Sequence, residues 1–194
     1  LGKAVVISGT PGVGKSAIAK LLTKKLGGIY VNLTEFVLSN KLYIEYDELR
    51  NSYIIDEELV RSKIAGIVKS SEGYVIIDSH YGEIIKDDLV EKIFVLRINP
   101  SDLLKRLKSR GWHNTKIREN LEVELLGTCT LNALEEHPAH KICEVDVTNK
   151  SQNEVVDEII SILRGKKKCS IGVDWLTNLS DDLIEYIIHS SESS

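Results

Sequence analysis

An α/β architecture, a mostly parallel sheet covered by helices on both faces, is what this 194-residue sequence predicts. Three observations point to it. Short β-branched apolar runs recur at Ala4–Ile7, Val75–Ile77 and Ile93–Leu96, with the unbroken hydrophobicity of strands buried on two faces. Stretches with helical spacing of apolar residues separate them, as at Ile18, Leu21, Leu22 and Leu26. Strand and helix alternate along the chain, which calls for crossover connections and therefore parallel pairing.

The first strand, Lys3–Ser8, leads into the glycine-rich stretch Gly9–Ser16 and a helix that Gly27-Gly28 stops. Ile29–Val31 is a brief second strand and Asn32–Leu42 a short helix. Tyr43–Asp56 mixes Tyr, Asp and Glu in no clean period, as expected of a mobile or partner-facing excursion. Asp56-Glu57-Glu58 caps a helix running to about Ser71. Gly73–Asp78 and Lys92–Arg97 are the next strands, and Pro100 opens a helix over Ser101–Arg110 that Gly111 breaks. Thr115 to about Glu136 reads as one long helix, followed by a strand at Lys141–Asp146 and a helix at Ser151–Leu163. Beyond Gly165 the pattern changes. A basic hinge, Lys166–Lys168, precedes a tail whose Val173–Ile188 stretch suits one amphipathic helix capped by Ser180 or Asp181, with Ser190–Ser194 expected to be disordered.

Composition narrows the classes. With 42% hydrophobic and 28% charged residues, the chain is expected to be one soluble globular unit rather than disordered. A net charge of −4 argues against a broad nucleic-acid-coating surface, while leaving room for a local basic patch. No apolar run approaches the length of a membrane span, and nothing resembles a signal peptide, so a cytoplasmic protein is expected. Cys129, Cys143 and Cys169, odd in number and far apart, are expected to be thiols in a reducing compartment, forming neither a disulfide framework nor a zinc pair.

The stretch Gly9-Thr10-Pro11-Gly12-Val13-Gly14-Lys15-Ser16 fits the spacing G-x-x-x-x-G-K-S between a buried strand and a helix. Consecutive backbone N–H groups and a helix N-terminus there converge on a phosphate anion. Glycine lets the backbone approach, Lys15 reaches the β and γ phosphates, and the Ser16 hydroxyl is placed to hold Mg²⁺. Asp78, ending a neighbouring apolar strand, is expected beside Ser16, on the metal directly or through water. His80, two residues on, faces the γ-phosphate region, where an imidazole can position water, shuttle a proton or hydrogen-bond the phosphoryl group. Residues 97–118 hold seven Lys and Arg against one acid, Asp102. Within them Arg106 and Arg110, four apart at one helix end, fit a small lid over bound triphosphate, with Lys116 beyond the Gly111 hinge.

Together these residues resemble the small nucleoside-monophosphate kinases of the P-loop NTPase class, and more narrowly the atypical adenylate kinases that also act as ATPases in small ribosomal subunit maturation. The match rests on Gly9–Ser16, on Asp78-Ser79-His80, and on Arg106–Trp112 followed by Lys116 and Glu119–Glu122, across residues 3–164. What it implies is a five-stranded parallel sheet in residues 1–164, with a monophosphate-binding excursion over 32–72 and a short lid over 109–120; the tail over 165–194 is not explained by the shared core. It also implies MgATP as the donor, AMP as the acceptor, ADP as the product, slow ATP hydrolysis, and a basic ribosomal protein of the small-subunit platform as partner. By the same resemblance, Lys15, Asp78, His80 and Arg110 are catalytic. ATP would be held by Gly12, Val13, Gly14, Lys15, Ser16, Ala17, Arg106 and Arg110, with Thr148, Asn149 and Lys150 at the adenine. AMP would lie against Asn32, Leu33, Leu38, Arg50 and His80. One departure is visible: Leu38 stands where such kinases place a phosphate-gripping arginine, for which Arg50 or Arg61 would have to substitute. Two other functions remain: a nucleotide-switched ATPase that holds its client on the acidic residues Glu45, Asp47, Glu48 and Asp56–Glu58, and a small-metabolite kinase, which needs the loop but not Asp-x-His.

Overall fold

The computed structural model describes residues 2–48, 52–80 and 84–189. Its strands are β1 (Lys3–Gly9), β2 (Ile29–Asn32), β3 (Tyr43–Asp47), β4 (Ser52–Ile55), β5 (Tyr74–Asp78), β6 (Val90–Arg97) and β7 (Ile142–Asp146). Its helices are α1 (Lys15–Leu26), α2 (Leu33–Ser39), α3 (Glu57–Ser70), α4 (Pro100–Ser109), α5 (Asn114–Leu126), α6 (Thr128–Glu136), α7 (Gln152–Leu163) and α8 (Asp181–His189). Five strands make one parallel sheet in the order β2-β5-β1-β6-β7, the P-loop NTPase architecture expected from the sequence.

The unbroken apolar runs have a simple cause. In β1, Val5 and Ile7 pack on one face with Ile18 and Leu22 of α1, Leu107 of α4 and Ile159 of α7. Ala4 and Val6 pack on the other face, with Val60, Ile64 and Val68 of α3. Every position of a central strand is therefore inside, and a two-residue period cannot show in its hydrophobicity. Register then brings the strand ends together: Ile7 pairs with Asp78 across β1 and β5, and Asn32 with Asp78 across β2 and β5. The carboxyl ends of these strands form the rim where ligands of open parallel sheets bind.

Four features differ from expectation. The long helix over 115–136 is two helices, because Gly127, at φ +64°, ends α5 and begins α6, and a Cβ there would lie 3.2 Å from an Arg97 nitrogen. Within Tyr43–Asp56, β3 and β4 pair antiparallel, and the Tyr53 ring meets Tyr43 at a tilt and Tyr46 edge-on, at centroid separations of 4.5 and 5.0 Å. A ribbon outside the main sheet has no core face to impose a period. The tail runs irregularly to a 3₁₀ turn at Leu176–Asn178 and becomes helical only after Ser180, whose carbonyl accepts from the Leu183 and Ile184 amides. Leu183 joins the α1 side of the core. The expected disorder at 190–194 lies outside the described residues. Finally, Cys143 and Cys169 are joined in a disulfide, overturning the expectation of thiols. Their separation of 26 residues is bridged because the tail returns along β7, where the Glu144 amide donates to Ser170 O. Cys129 is not part of the bridge.

Candidate functional site

The loop between β1 and α1 is shaped by glycine at positions other residues resist. Gly9 has φ +134°, and a Cβ on it would fall 2.5 Å from Leu96 O of the adjacent strand. Gly14 caps α1 at φ +110°, presenting the free amides of the helix's first turn to the cleft. Lys15 is only 6% exposed, and its Nζ donates to Gly9 O at 2.7 Å and Thr10 O at 3.1 Å. A buried ammonium needs acceptors, and the loop's own carbonyls supply them. Burial pushes its pKa down to about 8, against the opposing pull of Cys129, Asp78 and Glu124.

Asp78 is 4% exposed, and one carboxylate oxygen, Oδ2, accepts from Ser16 Oγ at 2.5 Å, Tyr30 OH at 3.0 Å and Asn32 Nδ2 at 3.0 Å. Asn32 has two duties, since its Oδ1 also caps α2 by accepting from the Glu35 amide. Tyr30 escaped the sequence analysis, although it lies two residues before Asn32 on the same strand face. His80 stands at the rim with Nδ1 3.5 Å from Gly9 O. The residue is exposed to solvent, yet desolvation by the surrounding protein and then the nearby Lys15 charge lower its pKa from the ordinary imidazole value. Lys15, Ser16, Asn32, Asp78 and His80 line a cleft of about 460 Å³ that also includes Gly12, Ala17, Arg110 and Trp112.

Two further clefts adjoin it. One, of about 530 Å³, shares Gly14, Ala17 and Arg110 and extends over Val13, Arg106, Val147 and Lys150. Arg106 is fixed there by a 3.1 Å bond to Val13 O. Of the three residues expected at the adenine, Lys150 lines this cleft. Thr148 Oγ1 accepts from the Asn99 amide at 2.9 Å, and Asn149 takes the turn at φ +55°. The other cleft, of about 340 Å³, shares Thr34, Ser79 and His80 with the first and is otherwise apolar, lined by Leu33, Val37, Leu38, Tyr53 and Ile55. No Lys or Arg is among its described lining residues. Arg61 lies on α3, 3.9 Å from Glu57, and Arg50 lies outside the described residues.

The cationic stretch at 97–118 is divided by the fold. Arg106 and Arg110 line the clefts, whereas Lys116 is exposed and outside them. Lys108 lies over the Tyr186 ring, 4.4 Å from its centroid. Arg97 is 2% exposed and faces away from the phosphate cleft, ion-paired to Glu124 at 2.8 Å and to Glu144. Burial opposes its charge, but the two carboxylates prevail and raise its pKa. Glu144 too is held below its ordinary value: burial would push it up, and the amides of Gly172 and Val173, the Thr130 hydroxyl and Arg97 more than offset that.

Comparison with known proteins agrees with this geometry. Residues 5–127 match a family model described as an AAA domain. A protein of Sulfurisphaera tokodaii named "Putative adenylate kinase" is 41% identical over 194 residues, covering 98% of this chain and 97% of its own. One of the same name from Pyrococcus abyssi is 38% identical over 192 residues, covering 94% and 96%. Among solved structures, the shikimate kinase from Bacteroides thetaiotaomicron has a TM-score of 0.55 at 16% identity, covering 84% of this chain and 98% of its own. The thymidylate kinase from Candida albicans has 0.54 at 16%, covering 89% and 96%. At that identity the likeness is one of fold. Loop, sheet order and family match agree: the chain belongs to the AAA-domain family, as a P-loop nucleotide-binding protein related to these archaeal proteins.

Proposed function

We propose that the protein transfers the γ-phosphoryl group of ATP to AMP, forming two ADP, and more slowly to water. The observation that carries this is the continuity of the clefts: the phosphate cleft opens at Thr34, Ser79 and His80 into an apolar pocket lined by Leu33, Val37 and Tyr53. A planar base suits that pocket and would bring an acceptor phosphate toward the loop. The names of the relatives point the same way. The triphosphate lies on the loop amides, with Lys15 turning from its carbonyl partners to the β and γ oxygens. Ser16 Oγ and the Asp78 carboxylate, 2.5 Å apart, are hard oxygen donors that suit Mg²⁺, which when bound would neutralise phosphate charge. Tyr30 and Asn32 hold that carboxylate in place. Arg110, which lines both the phosphate cleft and the adjoining cleft of Arg106 and Lys150, supplies positive charge as the lid over 109–120 closes. His80, whose neutral form is favoured by burial and the nearby Lys15 charge, accepts a proton when water is the acceptor.

ATP turnover on purified protein, with and without AMP and with ADP resolved from phosphate, tests this. The expected result is rapid AMP-dependent ADP formation over slow phosphate release. Turnover indifferent to AMP would refute the kinase reading.

A second reading, a nucleotide-switched ATPase that binds a basic platform ribosomal protein of the small subunit, draws on the β3–β4 hairpin. This exposes Ile44, Tyr46, Tyr53 and Ile54 beside Glu45, Asp47 and Glu48. Apolar contact ringed by acid suits a cationic client. Calorimetry against such a protein at two salt concentrations is expected to show salt-weakened binding, lost on charge reversal at Glu45, Asp47 and Glu48. Salt-insensitive binding that survives the reversal removes the hairpin from the interface.

A further inference from the structure

Thr10 is the loop residue whose side chain turns inward, being 1% exposed, and its Oγ1 donates to Glu124 Oε2 at 2.5 Å, across 114 residues of sequence. The other oxygen of that carboxylate, Oε1, accepts from Arg97 Nε at 2.8 Å, the Ile98 amide at 3.1 Å and Trp175 Nε1 at 2.9 Å. Trp175 belongs to the tail, beyond the sheet and its crossover helices. Two more tail groups, the Gly172 and Val173 amides, each donate at 2.8 Å to Glu144, which is ion-paired to the same Arg97. A continuous buried chain thus runs from the tail through Glu144, Arg97 and Glu124 to the phosphate loop.

Its end point matters. The Gly9 and Thr10 carbonyls receive Lys15, and Gly9 O also lies against His80. Fixing the Thr10 side chain therefore fixes the peptide groups against which both of those side chains rest. Glu124 sits near the end of α5, whose beginning is two residues past Trp112 of the phosphate cleft. The helix meets the site at both ends.

We infer that Glu124 is a positioning residue for the phosphate loop, and that the tail strap Gly172–Trp175 is a working part of the nucleotide site because it completes the Glu124 and Glu144 hydrogen-bond sets. This rests on the loop binding a nucleoside triphosphate. A buried carboxylate with all its donors is rigid; with one removed, it and whatever it holds can shift. The strap thereby pre-organises the loop without touching the ligand.

The test is a double-mutant cycle on MgATP affinity with Thr10→Val and Trp175→Phe, read by calorimetry well below each variant's melting temperature. Trp175→Phe keeps an aromatic ring but loses the indole N–H and some packing volume, which is why affinity is read separately from melting temperature. It is expected to weaken MgATP binding about threefold, and Thr10→Val about tenfold, within the net worth of one typical hydrogen bond. In the Thr10→Val background, Trp175→Phe is expected to change the dissociation constant no further, because Glu124 no longer holds the loop. Thr10→Ser, which keeps the hydroxyl, restores wild-type affinity. A Trp175→Phe variant with lower melting temperature but unchanged affinity would make the strap merely structural and overturn the inference. So would an effect on affinity that persists in full beside Thr10→Val. Wild-type protein that fails to bind MgATP, or a Lys15→Ala control that binds it equally well, would instead remove the nucleotide-site reading and this inference with it.

Discussion

Raising the pH is the perturbation that tests the phosphate site most directly. Lys15 has a pKa of about 8 in the ligand-free fold because burial penalises its charge more than Cys129, Asp78 and Glu124 support it. A bound triphosphate restores the reason to be charged, so binding selects the protonated lysine. The sign follows: affinity is flat below pH 8, where the proton is already present, and falls above it, where binding must take one up. About nine-tenths of the molecules are protonated at pH 7 and about one-tenth at pH 9. The apparent dissociation constant therefore rises about tenfold between them, roughly 1.4 kcal/mol. His80, its pKa lowered by burial and by the Lys15 charge, loses its proton at lower pH than Lys15 does. Titration with MgATP at pH 7, 8 and 9 and fixed ionic strength measures the rise, and calorimetry in two buffers of different ionisation enthalpy counts the proton. Lys15→Ala binds weakly and without the step. An affinity unchanged to pH 9.5, with no proton uptake, would refute the reasoning, since it would mean the Lys15 ammonium is not desolvated.

Four further perturbations separate roles within the fold. Gly9→Ala places a methyl 2.5 Å from Leu96 O at φ +134°, so a melting curve is expected to show a loss of about 3 kcal/mol; an unchanged curve would mean the β1–β6 contact is looser than described. His80→Ala is expected to reduce phosphate release more than transfer to AMP, as an acceptor phosphate brings its own nucleophile while water must be oriented; equal losses in the two assays would make His80 a shared electrostatic group. Arg110→Ala is expected to lower kcat more than MgATP affinity, because charge on the transferring group peaks in the transition state; a loss confined to affinity would assign it to ground-state holding. Reduction of Cys143–Cys169 frees a segment of 26 residues and is expected to cost up to about 3.5 kcal/mol in denaturant unfolding, against no change in a Cys143→Ala/Cys169→Ala variant.

The phosphate loop was legible because strand, glycine turn and helix are contiguous, so local spacing alone specifies the site. Asp78 was legible for a related reason: it ends an apolar run, and the end of a buried strand lies on the rim. Distant partners marked by neither the loop spacing nor a strand end were not. Cys143 and Cys169 depend on the path of a tail that carries no strand or helix signal at that point, and Thr10 meets Glu124 across 114 residues. Apolar periodicity reports which faces are buried and is silent on which buried polar groups meet.

Arg97 shows how much hangs on strand parity. It ends β6 as Asp78 ends β5, one charge at the mouth of each strand, and by sequence the two look equivalent. Asp78 shares its side of the sheet with Ile76, which packs with Ile18 and Leu22 of α1, so its carboxylate reaches Ser16. Arg97 shares its side with Ile93 and Val95, which pack with Ala133 of α6 and Ile142 of β7. Two residues past Ile142 on that same side is Glu144, and the arginine is committed there to Glu144 and Glu124. A single-residue difference in where the apolar run stops would have sent this cation toward α1 and the phosphates. Instead it is the pivot of the buried network, and Arg106 and Arg110 alone among the described cations of residues 97–118 line the nucleotide clefts.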